Sequence, residues 1–231
     1  MELFSINSKK IEVIHEGVEL PGGADVEGYC KLYQPVKKKY DITSDYFFSL
    51  GTLEPRKNIG LVLDALRQIL EKNPEVLRNK EYLIAGVKGW KFQDIFDKID
   101  EVNRISQAKI GSDFVRYLGY IPHADKFPLM ACSLFFVFPS LYEGFGLPVL
   151  EAMKLGTPVI SSNISSIPEV TSDAALLINP EDTAEMREAL LKFLKSDEAR
   201  KRYASRAKQQ ADKFTWEKAA IKTIEVYKNI K

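Results

Sequence analysis

Six short apolar runs, separated by helical patterns, constrain the fold of this chain more than any other feature. The runs are YFFSL (46–50), EYLIAG (81–86), FVRYLG (114–119), LFFVF (134–138), PVISS (158–162) and AALLI (174–178). Each is rich in β-branched or aromatic residues and apolar on both alternating faces, as strands covered on both sides must be. Between them the period changes. Asn58 stands as an N-cap before Ile59, Val62, Leu63, Leu66 and Ile69 at helical spacing. A second helix is expected from about Trp90 to Ala108, with Phe92, Ile95, Phe96, Ile99 and Val102 on one stripe. After the last run Asp182 caps a helix with Met186, Leu190 and Phe193 inward, and two more helices follow. Strands alternating with helices predict an α/β fold with a doubly wound parallel sheet of about six strands, spanning 46–213.

Residues 1–45 break that rhythm. They hold one candidate strand, KIEVIH, and then GVELPGGADVEGYCKLYQPVKKKYDI, rich in Gly, Pro and charge. This reads as a linker or the trailing edge of another domain, with a surface extension as the competing reading. Lys37, Lys38 and Lys39 read as solvated linker. With 33 basic and 32 acidic residues and a formal charge of +1, the chain carries no electrostatic footprint for nucleic acid.

The two cysteines, Cys30 and Cys132, lie far apart in sequence, and Cys132, inside LMACSLFFVF, reads as a small buried hydrophobe. No cysteine and histidine spacing suggests a metal site. The N-terminus MELFSINSKKIEV lacks a signal-peptide core, and no apolar stretch reaches the roughly 20 residues needed to span a bilayer. A cytosolic protein is expected, with peripheral attachment at the inner face of the membrane left open.

Parallel sheets bind ligands beyond the carboxyl ends of their strands. After the first strand, SLGTLEPRKNIG places a Gly51 turn, then Arg56 and Lys57, immediately before a helix N-terminus. Two cations beside unpaired helix N–H groups make an anion site, although a solvated basic pair is the alternative. After the fourth strand comes PSLYEGFGLPVLEAM, where Pro148 suits a first helical turn and Gly144 and Gly146 permit close backbone approach. A helix start preceded by glycines cradles phosphate. Glu143 before the turn and Glu151 about one turn inside would repel phosphate oxygens but accept hydrogen bonds from hydroxyls. A ligand with both phosphates and hydroxyls, a sugar nucleotide, reconciles them, while the plain alternative has Glu151 interacting with its own helix N-terminus.

Other motifs are missing. There is no GxxxxGK[ST] loop and no GxGxxG after the first strand, GVKGWK has the wrong spacing for either, and no Asp-x-Asp metal motif occurs. His15 and His123 are the only histidines, and neither suggests a catalytic triad; structural or surface roles are expected.

At these residues the chain resembles the C-terminal, donor-binding domain of retaining GT-B glycosyltransferases of family four, the glycosyl transferases group 1. The matching segments are GTLEPRKNIGLVLDAL, FPSLYEGFGLPVLEAMKLGTPVISSNISSIPEV and FTWEKAAIKTIEVYKNI, in order, from about Phe47 to Ile230. VIHEGVEL resembles the family's VIPNGVD segment, which closes the acceptor domain, with His15 and Glu16 replacing Pro and Asn. That departure is expected to affect the linker and not the donor site.

The resemblance implies that Arg56 and Lys57 neutralise the donor diphosphate, that Glu143 contacts the transferred sugar, and that Glu151 accepts from the ribose hydroxyls. Backbone N–H groups of Gly144, Phe145, Gly146 and Leu147 would meet sugar and phosphate oxygens, and Tyr120 and Ile121 would line the base pocket. It implies retaining hexose transfer without a metal or other cofactor. Stabilisation of the leaving diphosphate by Arg56, Lys57 and the helix N-terminus would drive it, with Glu143 as nucleophile a minority alternative. GTLEPRKN resembles bacterial mannosyltransferases of polysaccharide assembly, so GDP-mannose is the first expectation and a UDP-hexose the second. The acceptor, a saccharide or lipid-linked saccharide, would bind an N-terminal domain of which residues 1–45 are the end. A chain of this extent is expected to bind donor but to transfer sugar poorly by itself. A non-catalytic partner half of a split enzyme, or another GT-B-like enzyme such as an epimerase or phosphorylase, are the alternatives.

The last segment, 214–231, would be a helix crossing back to the acceptor domain. Trp216, Ala219, Ala220, Ile221, Ile224, Val226, Tyr227 and Ile230 cover well over half its circumference, more than the ~100° stripe a surface helix needs. Exposed apolar surface, open to self-association, is expected there.

Overall fold

The computed structural model describes residues 10–23 and 26–229. All six expected strands form: β1 (Asp45–Leu50), β2 (Lys80–Ala85), β3 (Val115–Gly119), β4 (Phe136–Phe138), β5 (Val159–Ser162) and β6 (Leu176–Ile178). They make one sheet in the order β3-β2-β1-β4-β5-β6, every pairing parallel. The order runs outward in both directions from β1 and β4. The crevice that opens where the connections diverge therefore lies between these two strands.

Both faces of the sheet are covered because successive strand residues point to opposite sides. Phe47 packs with Tyr82 and Phe135 in one core cluster, whereas its neighbour Phe48 packs with Phe136 in the other. Helices α2 (Ile59–Lys72), α3 (Gln93–Ile110) and α7 (Thr183–Lys195) cover the first cluster. The second is covered by α1 (Val26–Lys39), α4 (His123–Ala131), α5 (Leu147–Lys154) and α8 (Asp197–Ala211), with the short α6 (Ile167–Thr171) beside them. On the first side, Phe47 is fully buried between the stacked rings of Tyr82, 4.5 Å away, and Phe135, 4.8 Å away.

The N-terminal part differs from expectation. Lys10–His15 forms no strand, and Val26–Lys39 is a regular helix. Tyr29, Tyr33, Val36 and Tyr40 recur at helical spacing and turn toward α4 and β1, and Lys37–Lys39 form the last turn, where cations favour the helix dipole. The α1 helix is fastened to α4 by Tyr29 against Phe127, with ring centroids 5.5 Å apart, and by Lys39 and Tyr40, which both donate to Asp125 Oδ2. Cys132, at the end of α4, is only half-buried, and its Sγ lies 3.5 Å from Sγ of Cys30 on α1. Tertiary packing thus joins two cysteines that the sequence separates.

Asn58 precedes α2 as expected but does not cap it. It adopts left-handed backbone geometry and makes no side-chain cap. Its amide instead donates to the carbonyls of Pro139, after β4, and Pro180, after β6, stapling loops at the carboxyl edge of the sheet. Asp182 does cap α7, accepting from the backbone of Ala184 and Glu185.

The chain enters beside its own C-terminal helix, α9 (Trp216–Asn229). Val18 N–H donates to the Phe214 carbonyl, and a side chain on Gly17 would place Cβ 2.1 Å from the Trp216 backbone nitrogen, so only glycine fits. No described residue of α9 is buried, and Trp216, Ile221, Ile224 and Tyr227 are exposed, which is the apolar surface expected of this helix. Ile230 lies outside the described residues, as do the first nine residues of the signal-peptide reading. Among the described residues no helix is long and apolar enough to cross a membrane.

Candidate functional site

The turns after β1 and β4 face each other across the crevice. Gly51 leaves β1 with its N–H on the Ala85 carbonyl, and the chain then tightens into a 3-10 turn over Pro55–Lys57. That turn presents Arg56 and Lys57 toward the loop after β4. Lys57 Nζ donates to Glu143 Oε1 at 2.6 Å, and Arg56 approaches the same oxygen at 3.2 Å. Lys57 lies over the Phe138 ring, 4.7 Å from its centroid, so the ring face also holds the ammonium. Arg56 is tied by Glu54 at 2.8 Å and by the Tyr142 carbonyl, while its own carbonyl accepts from Leu141 N–H. The two loops are therefore laced by backbone and charge together.

Glu143 is held from a third direction. Its N–H donates to Ser165 Oγ, and its carbonyl accepts from the hydroxyls of Ser165 and Ser166 in the loop after β5. Nothing in the motif around Glu143 announces these two serines; their spacing from it is 22 and 23 residues, and only the adjacency of β4 and β5 brings them together.

Past Glu143 the backbone turns through Gly144 and Phe145 to Gly146, which caps α5 with φ 99°. A side chain there would be strained by that φ and would bring Cβ to 2.7 Å from Ile167 Cδ1. Pro148, in the first turn of α5, has no N–H, and the Gly146 carbonyl accepts from Val149 and Leu150, so Leu147 carries the first-turn N–H that these bonds do not use.

Phe145 packs with His15, at a centroid separation of 6.1 Å, and with Phe214 at 6.0 Å; His15 Nε2 lies 2.6 Å from Glu169 Oε1. His15 thus lies against Phe145 of the glycine loop, a contact that the sequence does not announce.

Glu151, one turn into α5, is paired with Lys126 of α4, whose Nζ is 2.6 Å from Oε1 and 2.5 Å from Oε2. Lys126 carried no expectation; it belongs to no motif, and its proximity depends on the packing of α4 beside α5. The two residues expected to line a base pocket separate. Tyr120 is 71% exposed at the end of β3, while Ile121 is buried in the core with Tyr29 and Phe127. Among the described residues no group of three or more His, Cys, Asp or Glu side chains is arranged to hold a metal ion.

Chemically, the loops after β1 and β4 bring together two cations and one partly shielded carboxylate, Glu143, in front of α5, while Glu151 one turn into that helix is engaged by Lys126. Comparison with known proteins identifies the family. The family described as "Glycosyl transferases group 1" matches residues 34–210. The chain belongs to this family. It is 38% identical over 195 residues to the O-antigen chain mannosyltransferase B of Escherichia coli, covering 84% of this chain and 49% of that protein. It is 28% identical over 219 residues to the phosphatidyl-myo-inositol mannosyltransferase of Mycolicibacterium smegmatis, covering 93% of this chain and 52% of that one. The chain spans about half the length of the curated relatives it matches. The solved structure of WaaG, a glycosyltransferase involved in lipopolysaccharide biosynthesis, superposes with a TM-score of 0.71 at 17% identity, over 95% of this chain and 57% of that one. The doubly wound sheet of this glycosyl transferase group 1 chain is thus the GT-B type of α/β fold.

Proposed function

We propose that this chain is the donor-binding domain of a retaining hexosyltransferase that draws on a nucleoside diphosphate sugar. The observation that carries the reading is the meeting of Arg56, Lys57 and Glu143 at the sheet's point of reversal, in front of the N-terminus of α5. A diphosphate seated there would take charge-assisted hydrogen bonds from Arg56 and Lys57, and Lys57, with three donors, can keep Glu143 while doing so. Glu143, fixed by Ser165 and Ser166, accepts from the hexose hydroxyls, and Glu151 from the ribose.

As the glycosidic bond to phosphate breaks, negative charge grows on the departing diphosphate. Two cations and a helix N-terminus already in place stabilise it without reorganisation, and they supply the charge a metal ion would otherwise bring. The leaving phosphate then takes the acceptor hydroxyl's proton on the same face, which gives retention without a protein nucleophile. GDP-mannose is the favoured donor, because two of the relatives are named mannosyltransferases. The acceptor is a saccharide or lipid-linked saccharide bound by a second domain, against which the exposed apolar face of α9 packs. The 231-residue chain by itself binds donor but completes little transfer.

Titration with GDP-mannose and with UDP-glucose, each with and without a chelator of divalent cations, tests this reading. Saturable binding of GDP-mannose that the chelator leaves unchanged is expected. Binding that disappears with the chelator removes metal independence, and a clear preference for UDP-glucose replaces the donor.

A further inference from the structure

Away from the crevice, the packing of α1 on α4 sets two thiols side by side. Cys30 and Cys132 are 102 residues apart in sequence, yet the Cys132 thiol donates to Sγ of Cys30 at 3.5 Å. The helices that carry them are fastened at two places. At the end of α1, Lys39 and Tyr40 donate to Asp125 near the start of α4, and Arg116 of β3 donates to the Tyr40 and Asp41 carbonyls. Toward its start, α1 rests on α4 through Tyr29 against Phe127, and Cys30 is the next residue. The sulfurs are therefore held in contact by the docking of both helices.

A disulfide needs its sulfurs about 2 Å apart, and the remaining ~1.5 Å is the scale of a side-chain rotation shared between two residues. The two thiols differ in access: Cys30 is exposed, whereas Cys132 is only partly so. A reagent in solution thus meets Cys30 first, with Cys132 in contact behind the reaction.

We propose that Cys30 and Cys132 form a reversible modification site, a thiol-exchange pair that a small disulfide such as oxidised glutathione converts into a staple between α1 and α4. The Cys30 thiolate attacks one sulfur of the small disulfide, forming a mixed disulfide and expelling one thiolate. The Cys132 sulfur then attacks Cys30 Sγ, closing the internal bond and expelling the second thiolate. The protein thiols give up two electrons and two protons, and the small disulfide takes both to become two thiols. Reversal enters at the same exposed sulfur, because a small thiol attacking Cys30 Sγ releases Cys132. The staple closes a loop of about a hundred residues, the span over which a cross-link restricts the unfolded chain most.

The test equilibrates the purified chain, folded and unfolded in urea, with buffers of reduced and oxidised glutathione. Non-reducing peptide mapping by mass spectrometry reads the Cys30–Cys132 link. Closing the link is expected to have an equilibrium constant at least about tenfold larger in the folded chain, because the native packing already pairs the thiols. By the same thermodynamic cycle, the thermal midpoint of the linked chain should rise by at least about 3 °C and fall back on treatment with excess reduced glutathione. C132S should stop at the mixed disulfide on Cys30. A link no more favourable in the folded chain than in the unfolded one, an unchanged or lowered midpoint, or a wild type that stops at the mixed disulfide each overturn the proposal. Dimers joined through Cys30 in place of the internal link overturn it too, and a C132S chain that takes up no glutathione removes Cys30 as the point of entry and the proposal with it.

Discussion

Lys57 and Glu143 meet at 2.6 Å across the point where the sheet reverses its strand order, with side chains 13% and 11% exposed. Because the same ammonium serves the carboxylate and the expected diphosphate, the two partners have opposite effects on ligands. Lys57→Ala should weaken binding of a nucleoside diphosphate by about tenfold or more, as loss of a charge-assisted contact predicts. Glu143→Ala should leave the nucleoside diphosphate bound equally or more tightly, since a repelling charge is gone, while removing any advantage of the hexose conjugate. Calorimetry on both variants checks this; a hexose advantage that survives Glu143→Ala excludes Glu143 from the sugar.

The aromatic stack under the crevice sets the stability of the sheet. Phe47 is buried between Tyr82 and Phe135, and its truncation leaves a cavity between two rings that cannot close on each other. Phe47→Ala should cost about 3–5 kcal/mol in denaturant unfolding. A loss under about 1 kcal/mol, less than a small core trimming, would show that the stack is not the packing centre of the sheet.

The α1–α4 junction should respond to acid. Burial raises the Asp125 carboxyl, but hydrogen bonds from Lys39 and Tyr40, with the Lys39 charge, outweigh it and hold it below the ordinary carboxylate range. A lowered value means that the contribution to stability is complete above the ordinary aspartate value, about 3.9, and disappears as pH falls through the folded one. Asp125→Asn should therefore be less stable than wild type at pH 7, with the gap narrowing below about pH 4. A gap that is constant with pH contradicts this assignment.

The two thiols, 3.5 Å apart, should differ in reactivity. Burial, with the Cys30 thiol beside it, pushes the Cys132 thiol up to about 12, whereas Cys30 is exposed. Thiolate is the reactive species, so iodoacetamide at mildly alkaline pH should label Cys30 well before Cys132. Peptide mass spectrometry over time reads the order, and equal rates or the reverse order refute it.

What the chain discloses before folding follows from the range of each interaction. Strand and helix periods are local, so the six strands, the position of Pro148 and the two loops at the crevice are legible in the sequence. The α1 helix has a local signal too, the spacing of Tyr29, Tyr33, Val36 and Tyr40, but Pro35 and three consecutive lysines obscure it. Lys126 beside Glu151, Ser165 and Ser166 under Glu143, and Cys30 beside Cys132 join distant elements. No spacing encodes them; they exist only once the helices dock. Asn58 shows the same competition in a single residue, since its side chain serves two distant carbonyls instead of the helix it precedes.

In the proposed function the crevice between β1 and β4 holds a nucleoside diphosphate through Arg56, Lys57 and the start of α5. Calorimetric titration of the 231-residue chain with GDP, UDP and ADP measures this directly. Saturable one-to-one binding of at least one of them, weakened by Lys57→Ala, is predicted. Absence of binding by all three at millimolar concentration would contradict it.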